Sequence, residues 1–128
     1  HDISVAASRI PDFVAHTDAL LAREVPGARL ITFGHLGDSN LHYNVQASEG
    51  VDPAAFLQQH EAAINTLVLD AVHRVGGSIS AEHGIGQLKR NILPRYQSPV
   101  ALGMMRAIKQ ALDPQNIMNP GKVLPDQD

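Results

Sequence analysis

The sequence contains no cysteine and no tryptophan among its 128 residues. Without cysteine the chain forms no disulfide, offers no thiolate to a metal and has no cysteine nucleophile. This composition fits a reducing compartment, and we expect a cytoplasmic protein. Any metal site must therefore be built from histidine and carboxylate side chains.

Basic charge and aromatic rings are also scarce. Aromatic residues make up 4% of the chain, the net charge is -3 and the pI is about 6.1. A nucleic-acid-binding surface needs a basic stripe, often with stacking rings, so we expect no nucleic-acid partner. The sequence also lacks a run of about 18 apolar residues, so we expect no membrane span.

The composition is otherwise that of a globular domain, with 44% hydrophobic and 18% charged residues. A chain of this length buries about two-thirds of its unfolded surface, which is enough for a core. We therefore expect one domain over residues 1–128. The chain begins at His1 without a methionine or a signal-like region, and we expect it to be a piece of a longer protein.

Turn residues, helix caps and apolar periodicity predict the order of the elements. They are a short strand at Asp2–Val5, a helix over residues 11–25, strands at Leu30–Phe33 and Leu41–Val45, a long helix over residues 53–75, and a helix over residues 99–112. This order is typical of an α+β layer, an antiparallel sheet with helices packed on one face. We expect a ferredoxin-like cap half, followed by C-terminal helices and a docking tail at residues 116–123.

The long helix carries an apolar stripe at i+3 and i+4 spacing. Its members are Phe56, His60, Ile64, Leu67, Val68, Ala71, Val72 and Val75. We interpret His60 as a packed histidine and not a ligand, and we expect His73, which lies off the stripe, to be exposed. The stripe of the last helix consists of Leu102, Met105, Ile108 and Leu112.

The stretch over residues 33–44 reads as strand, tight turn, strand. With a two-residue loop at Asp38 and Ser39, His35 lies directly opposite His42, and Asn44 projects from the same face. Two adjacent imidazoles on a rigid hairpin favour a divalent metal site. The alternative is a hydrogen-bonded histidine pair in the core or on the surface.

The pair Glu82-His83 adds a carboxylate to the two imidazoles. Such a set suits Zn²⁺, Mn²⁺ or Fe²⁺ and leaves positions open for water or substrate. The alternative is that Glu82 is a carboxylate at the N-terminus of a helix and that His83 is incidental.

The motifs resemble the C-terminal, substrate-side part of FAD-linked 2-hydroxyacid oxidoreductases. That group includes D-lactate dehydrogenases, the glycolate oxidase flavoprotein subunit and D-2-hydroxyglutarate dehydrogenases, which share the flavin-binding fold of vanillyl-alcohol oxidase. The matching stretches cover nearly the whole chain: residues 2–5 with 10–11, 33–42, 76–86, 112–114 and 119–122. Ser39 and Ala6 depart from the family pattern, which usually has Gly and often Pro at these positions.

The resemblance implies oxidation of a D-2-hydroxyacid to the 2-oxoacid. By position, the ligands of a divalent metal, Zn or Mn, are His35, His42 and Glu82, and His83 is the proton acceptor. The metal would act as a Lewis acid on the substrate hydroxyl, and hydride would pass to the flavin.

Four further residues are candidates for contact with substrate or cofactor. We expect Asn44 and Lys89 to contact the substrate, with a solvated, exposed Lys89 as the alternative. Asn119 and Lys122 are candidates for contact with the flavin domain.

No Gly-rich nucleotide-binding loop is recognisable in the sequence, so we expect an upstream domain to bind most of the FAD. The chain alone is then expected to be inactive, and to self-associate through apolar residues of its tail. The competing hypothesis is a non-catalytic α+β module that binds a metal or an anion and supports a partner domain.

Overall fold

The computed structural model of the protein describes residues 1–125. They fall into two compact units, His1–Glu82 and a second unit that begins at His83. The three strands, which lie in the first unit, are antiparallel, and helices occur in both units. This combination confirms the predicted α+β class.

The first unit contains a three-stranded antiparallel sheet in the order β1-β3-β2. Its strands are β1 (Asp2–Ser4), β2 (Arg29–His35) and β3 (Asn40–Gln46). The short strand expected at the start of the chain is confirmed, and its partner is the central strand β3. Both predicted hairpin strands are also present, each extended by one or two residues at its ends.

Two helices follow the local sequence signals closely. α1 (Ile10–Glu24) has a proline in its first turn and ends before Pro26, and α2 is Pro53–Arg74. The Asp52 carboxylate accepts hydrogen bonds at 3.3 Å from the backbone N–H groups of Ala54 and Ala55. This cap satisfies donors that a helix leaves unpaired, which explains why α2 begins where the sequence predicted.

The helices cover one face of the sheet. Ile3, Leu41 and Tyr43 project from that face and are buried, and the Phe13 ring of α1 meets the Tyr43 ring edge-on, with centroids 6.1 Å apart. The Tyr43 hydroxyl donates to the Asp18 carboxylate. Burial and this hydrogen bond raise the pKa of Tyr43. The phenol therefore stays protonated and anchors α1 to the sheet.

The predicted stripe of α2 forms much of the remaining core. Its buried members are Phe56, Ile64, Val68, Ala71 and Val72, while Leu67 and Val75 are half-buried. Leu69, which was not predicted as part of the stripe, is also buried. His60 is half-buried with its ring 5.0 Å from the Phe56 ring, as expected for a packed histidine. His73 is exposed, as predicted.

The second unit contains α3 (Leu93–Tyr96) and α4 (Pro99–Leu112). The Ser98 hydroxyl accepts from the Ala101 N–H at 3.1 Å, so the predicted start of α4 is confirmed. α3 was not predicted, because four residues are too few to show a period. The predicted stripe of α4 is only partly buried: Leu102 is buried, whereas Ile108 and Leu112 are 58% and 73% exposed.

The tail docks onto its own unit. The Val123 N–H donates to the Gly86 carbonyl at 2.9 Å, and the Arg90 guanidinium donates to the Gly121 carbonyl at 3.0 Å. Ile117 and Met118 nevertheless remain exposed. None of the helices within residues 1–125 is long and apolar enough to cross a membrane.

The contacts of Asp113 at the end of α4 predict how the tail responds to low pH. The Lys109 ammonium donates to the Asp113 carboxylate and lowers its pKa, and the N–H groups of Met118 and Ile117 act in the same direction. Because the pKa of Asp113 is lower in the folded than in the unfolded chain, its ionised carboxylate stabilises the fold at every pH above the unfolded pKa of about 4. This stabilisation is lost as the pH falls from about 4 through the lower pKa of the folded state. We expect acidification below about pH 4 to release the tail.

The amide chemical shifts of Ile117 and Met118, followed by NMR against pH, measure this release. In Asp113→Asn the two amides should already be displaced at neutral pH and should not move with this titration. Wild-type shifts that stay constant down to about pH 2 would contradict the assigned role of the carboxylate.

Candidate metal centre

The hairpin that carries the two histidines has a longer loop than predicted. His42 pairs with Phe33, and His35 pairs with Asn40. The prediction of a two-residue loop with His35 directly opposite His42 is therefore wrong. The loop spans residues 36–39 and contains a 3-10 turn, closed by a 3.2 Å hydrogen bond from the Ser39 N–H to the Leu36 carbonyl.

The predicted pairing of β2 with β3 differs from the observed pairing by two residues. Each side chain therefore still projects from the predicted face of the sheet. Side chains alternate with period two, and a shift of two residues returns each side chain to the same face. His35 and His42 are diagonal neighbours on the face away from α1, with ring centroids 6.0 Å apart. Asn44, two residues beyond His42 on β3, shares that face.

A second segment brings the carboxylate to this face. Ser78 forms an antiparallel bridge with Ser4, through N–H···O distances of 3.0 and 2.8 Å. The approach requires Gly77, because a Cβ there would lie 2.4 Å from the Ser4 carbonyl oxygen. Four residues beyond the bridge, the chain reaches Glu82. No helix begins there, since residues 81–92 form bends and turns, so the interpretation of Glu82 as a helix-terminal carboxylate is wrong.

The three predicted ligands are close together. The Nδ1 atom of His35 is 3.0 Å from Glu82 Oε1, and the Nε2 atom of His42 is 4.0 Å from Glu82 Oε2. One nitrogen or oxygen from each residue lies within 4.8 Å of the others. Their side chains are 63%, 19% and 47% exposed for His35, His42 and Glu82, so the cluster opens to solvent on the side of His35.

Two imidazoles and a carboxylate are a suitable donor set for a divalent cation. Ligand atoms at about 2.1 Å from a tetrahedral zinc are about 3.4 Å apart, so binding requires the 4.0 Å separation of His42 Nε2 and Glu82 Oε2 to shorten by roughly 0.6 Å. The exposed side chains of His35 and Glu82 have room to move this far. Three protein ligands would leave a coordination position for an oxygen of water or substrate.

Neighbouring side chains hold the ligands in place. The Asn40 amide nitrogen donates to Glu82 Oε1, while its buried Oδ1 has no hydrogen-bond partner among the described residues. The Phe33 ring lies 5.1 Å from the His42 ring, because these residues face each other across the strands. Neither contact was predicted, since the first depends on the return of the chain to β1 and the second on the observed hairpin register.

The remaining predicted site residues belong to the second unit. His83 is its first residue and is exposed. Lys89 is half-buried rather than exposed. Asn119 has a left-handed backbone with φ 47°, and Lys122 Nζ donates to Gln87 Oε1 at 2.9 Å. Their roles toward substrate or cofactor stay predictions.

Comparison with known proteins identifies the family. A family model described as FAD linked oxidases, C-terminal domain, matches residues 1–123. The chain belongs to this family.

This FAD-linked oxidase domain is similar to curated D-2-hydroxyglutarate dehydrogenases. It is 40% identical over 123 residues to the protein of Stutzerimonas stutzeri (strain A1501), covering 96% of this chain and 26% of the relative. The corresponding values for the protein of Xanthomonas citri pv. viticola are 41% over 128 residues, 100% and 27%. For the mitochondrial enzyme of Rattus norvegicus they are 40% over 126 residues, 98% and 22%. The chain thus spans about a quarter of the length of these relatives.

The backbone conformation of the loop between His35 and His42 predicts how a substitution there changes the free energy of unfolding. Ser39 has φ 57°, in the left-handed region, which costs a residue with a Cβ about 1–2 kcal/mol. Glycine avoids this cost but loses about 0.5–1 kcal/mol of backbone entropy on folding. We therefore expect Ser39→Gly to raise the free energy of unfolding by about 0.5–1 kcal/mol, as measured by urea denaturation.

Gly37→Ala in the same loop is the control. Gly37 does not have a positive φ, and a Cβ there meets nothing within 4 Å, so the change should alter stability by less than about 1 kcal/mol. A lower stability for Ser39→Gly than for wild type would contradict the strained conformation of the loop.

Proposed function

We propose that this chain is the metal- and substrate-side domain of an FAD-dependent dehydrogenase that oxidises a D-2-hydroxyacid to the 2-oxoacid. The observation that carries the proposal is the convergence of His35, His42 and Glu82, from two separate segments, on one open face of the sheet. The names of the relatives favour D-2-hydroxyglutarate over D-lactate or glycolate as the substrate.

His35, His42 and Glu82 would hold a divalent cation, Zn²⁺ or Mn²⁺. When bound, such a cation supplies Lewis acidity that lowers the pKa of a hydroxyl group beside it. Both imidazoles stand on one hairpin, so the binding of the cation would have to order few further groups.

The substrate would lie above this face. Asn44 is on the same face as His42, and its side-chain amide would donate to a carboxylate oxygen of the hydroxyacid. An imidazole nitrogen of His83 would accept the hydroxyl proton, since imidazole is the commonest general base of proteins. Lys89 would add positive potential for the anionic substrate.

The flavin would come from elsewhere in the protein. FAD supplies the hydride acceptor, and no side chain of this chain can take that role. The relatives are about four times longer than the matched region, which supports an upstream FAD-binding domain. Asn119 and Lys122 remain candidates for contact with that domain. A cytoplasmic location is part of the proposal, although some relatives are named as mitochondrial.

Zinc affinity tests the proposed ligand set. Isothermal titration of the chain with zinc should show one site, and His42→Ala should weaken it by at least about 100-fold, since loss of a ligand costs more than loss of its support. Affinity should also fall below about pH 6, as protons compete for the imidazoles. His60→Ala is the matched control, because His60 packs on Phe56 outside the cluster. Equal affinities of wild type and His42→Ala would exclude the assignment.

The role of His83 as a base is tested in the complete flavoprotein. His83→Ala should keep its metal but lose turnover of D-2-hydroxyglutarate by about 10²–10⁴-fold, the usual contribution of a general base. His35→Ala should lose metal and turnover together. Metal analysis and a dye-linked assay on the same preparations separate the two roles. Loss of metal from His83→Ala would show that it is a ligand and not the base.

A further inference from the structure

Asp2 is a buried carboxylate with several partners around the metal centre. Only 5% of the residue is exposed. Its Oδ2 atom accepts from the backbone N–H groups of Ala81 and Glu82 at 3.1 and 3.0 Å, and the Ser80 hydroxyl lies 3.5 Å away. A buried carboxylate is costly unless such donors compensate it. These contacts fix the backbone of the segment that presents Glu82.

The same carboxylate faces a second ligand. Asp2 and His42 are direct partners across β1 and β3, and Asp2 Oδ1 is 4.0 Å from His42 Nδ1. The other ring nitrogen, Nε2, is 4.0 Å from Glu82 Oε2. The His42 ring therefore stands between two carboxylates, with its Nε2 side toward the other ligands.

We propose that Asp2 is a positioning residue of the metal centre, which holds His42 with its proton on Nδ1 and fixes the backbone of Glu82. A proton on Nδ1 places the lone pair of the imidazole on Nε2, the nitrogen that faces Glu82. A carboxylate behind a histidine ligand orients the ring in this way at many metal sites. The inference rests on the proposed function for its consequence on metal affinity, whereas the tautomer is a property of the metal-free chain.

The substitution Asp2→Asn gives a specific expectation. The Oδ2 position receives the N–H groups of both Ala81 and Glu82, whereas the Oδ1 position receives a second, 3.2 Å contact from the Glu82 N–H alone, so the amide oxygen should occupy the Oδ2 position. The amide NH₂ then takes the Oδ1 position and points toward His42 Nδ1. A donor at this place favours the tautomer with its proton on Nε2, the nitrogen that the cation needs. The substitution thus keeps the two backbone contacts at Oδ2, loses the one at Oδ1 and reverses the tautomer.

The test is NMR of the chain labelled with ¹⁵N-histidine, at a pH of about 8, where ordinary imidazoles are neutral. Metal-free wild type should show His42 protonated on Nδ1, and Asp2→Asn should show it protonated on Nε2. Zinc titration of the same samples should give an affinity about 10–100-fold lower for Asp2→Asn, the usual effect of losing a supporting contact.

Asp18→Asn is the matched control. Asp18 of α1 accepts a hydrogen bond from Tyr43, which projects from the face of β3 opposite to His42. This variant therefore perturbs a half-buried carboxylate contact without touching the cluster. It should keep both the His42 tautomer and the zinc affinity, which separates positioning from general destabilisation.

The outcomes distinguish the two proposals. A wild-type His42 protonated on Nε2 would overturn the role of Asp2 without any variant, and so would an unchanged tautomer in Asp2→Asn. A tautomer that switches in a chain that binds no zinc would support the positioning by Asp2 and contradict the proposed metal site.

Discussion

The pairing of Ser4 with Ser78 is the constraint on which the candidate site depends. Glu82 is 40 residues beyond His42 in the sequence, and α2 lies between these two residues. The bridge to β1 returns the chain to the sheet, and Gly77 makes the necessary close approach possible. Because β1 pairs with β3 in turn, one continuous hydrogen-bonded layer fixes the carboxylate relative to the hairpin.

The two faces of the sheet have separate tasks. On one face Tyr43 and its neighbours are buried under the helices and stabilise the unit. On the other face Phe33 and the ligand side chains remain accessible. Side chains along β3 alternate between the two faces. The buried side chains of Leu41 and Tyr43 therefore fix the strand on either side of His42. A rigid layer of this kind is a better support for a metal site than a loop.

Local signals were sufficient to predict the three strands and all helices except the four-residue α3, whereas they did not predict how the strands pair. The caps at Asp52 and Ser98 and the alternation along β3 are properties of a few neighbouring residues. The hairpin register instead depends on the left-handed conformation of Ser39, which few residues with a Cβ adopt. The contact of Asp2 with His42 depends on the partner of β1, which no pattern in the sequence specifies. The ligands were still predicted on one face, because the register error was an even number of residues.

X-ray absorption at the zinc edge of the zinc-loaded chain is the most direct test of the central claim, that this face of the sheet binds a divalent metal through His35, His42 and Glu82. We expect two imidazole nitrogens at about 2.0–2.1 Å from the zinc and at least one oxygen at about 2.0–2.2 Å. One of the imidazoles should disappear from the spectrum of His35→Ala. A spectrum with oxygen ligands alone, or one that His35→Ala leaves unchanged, would contradict this ligand set.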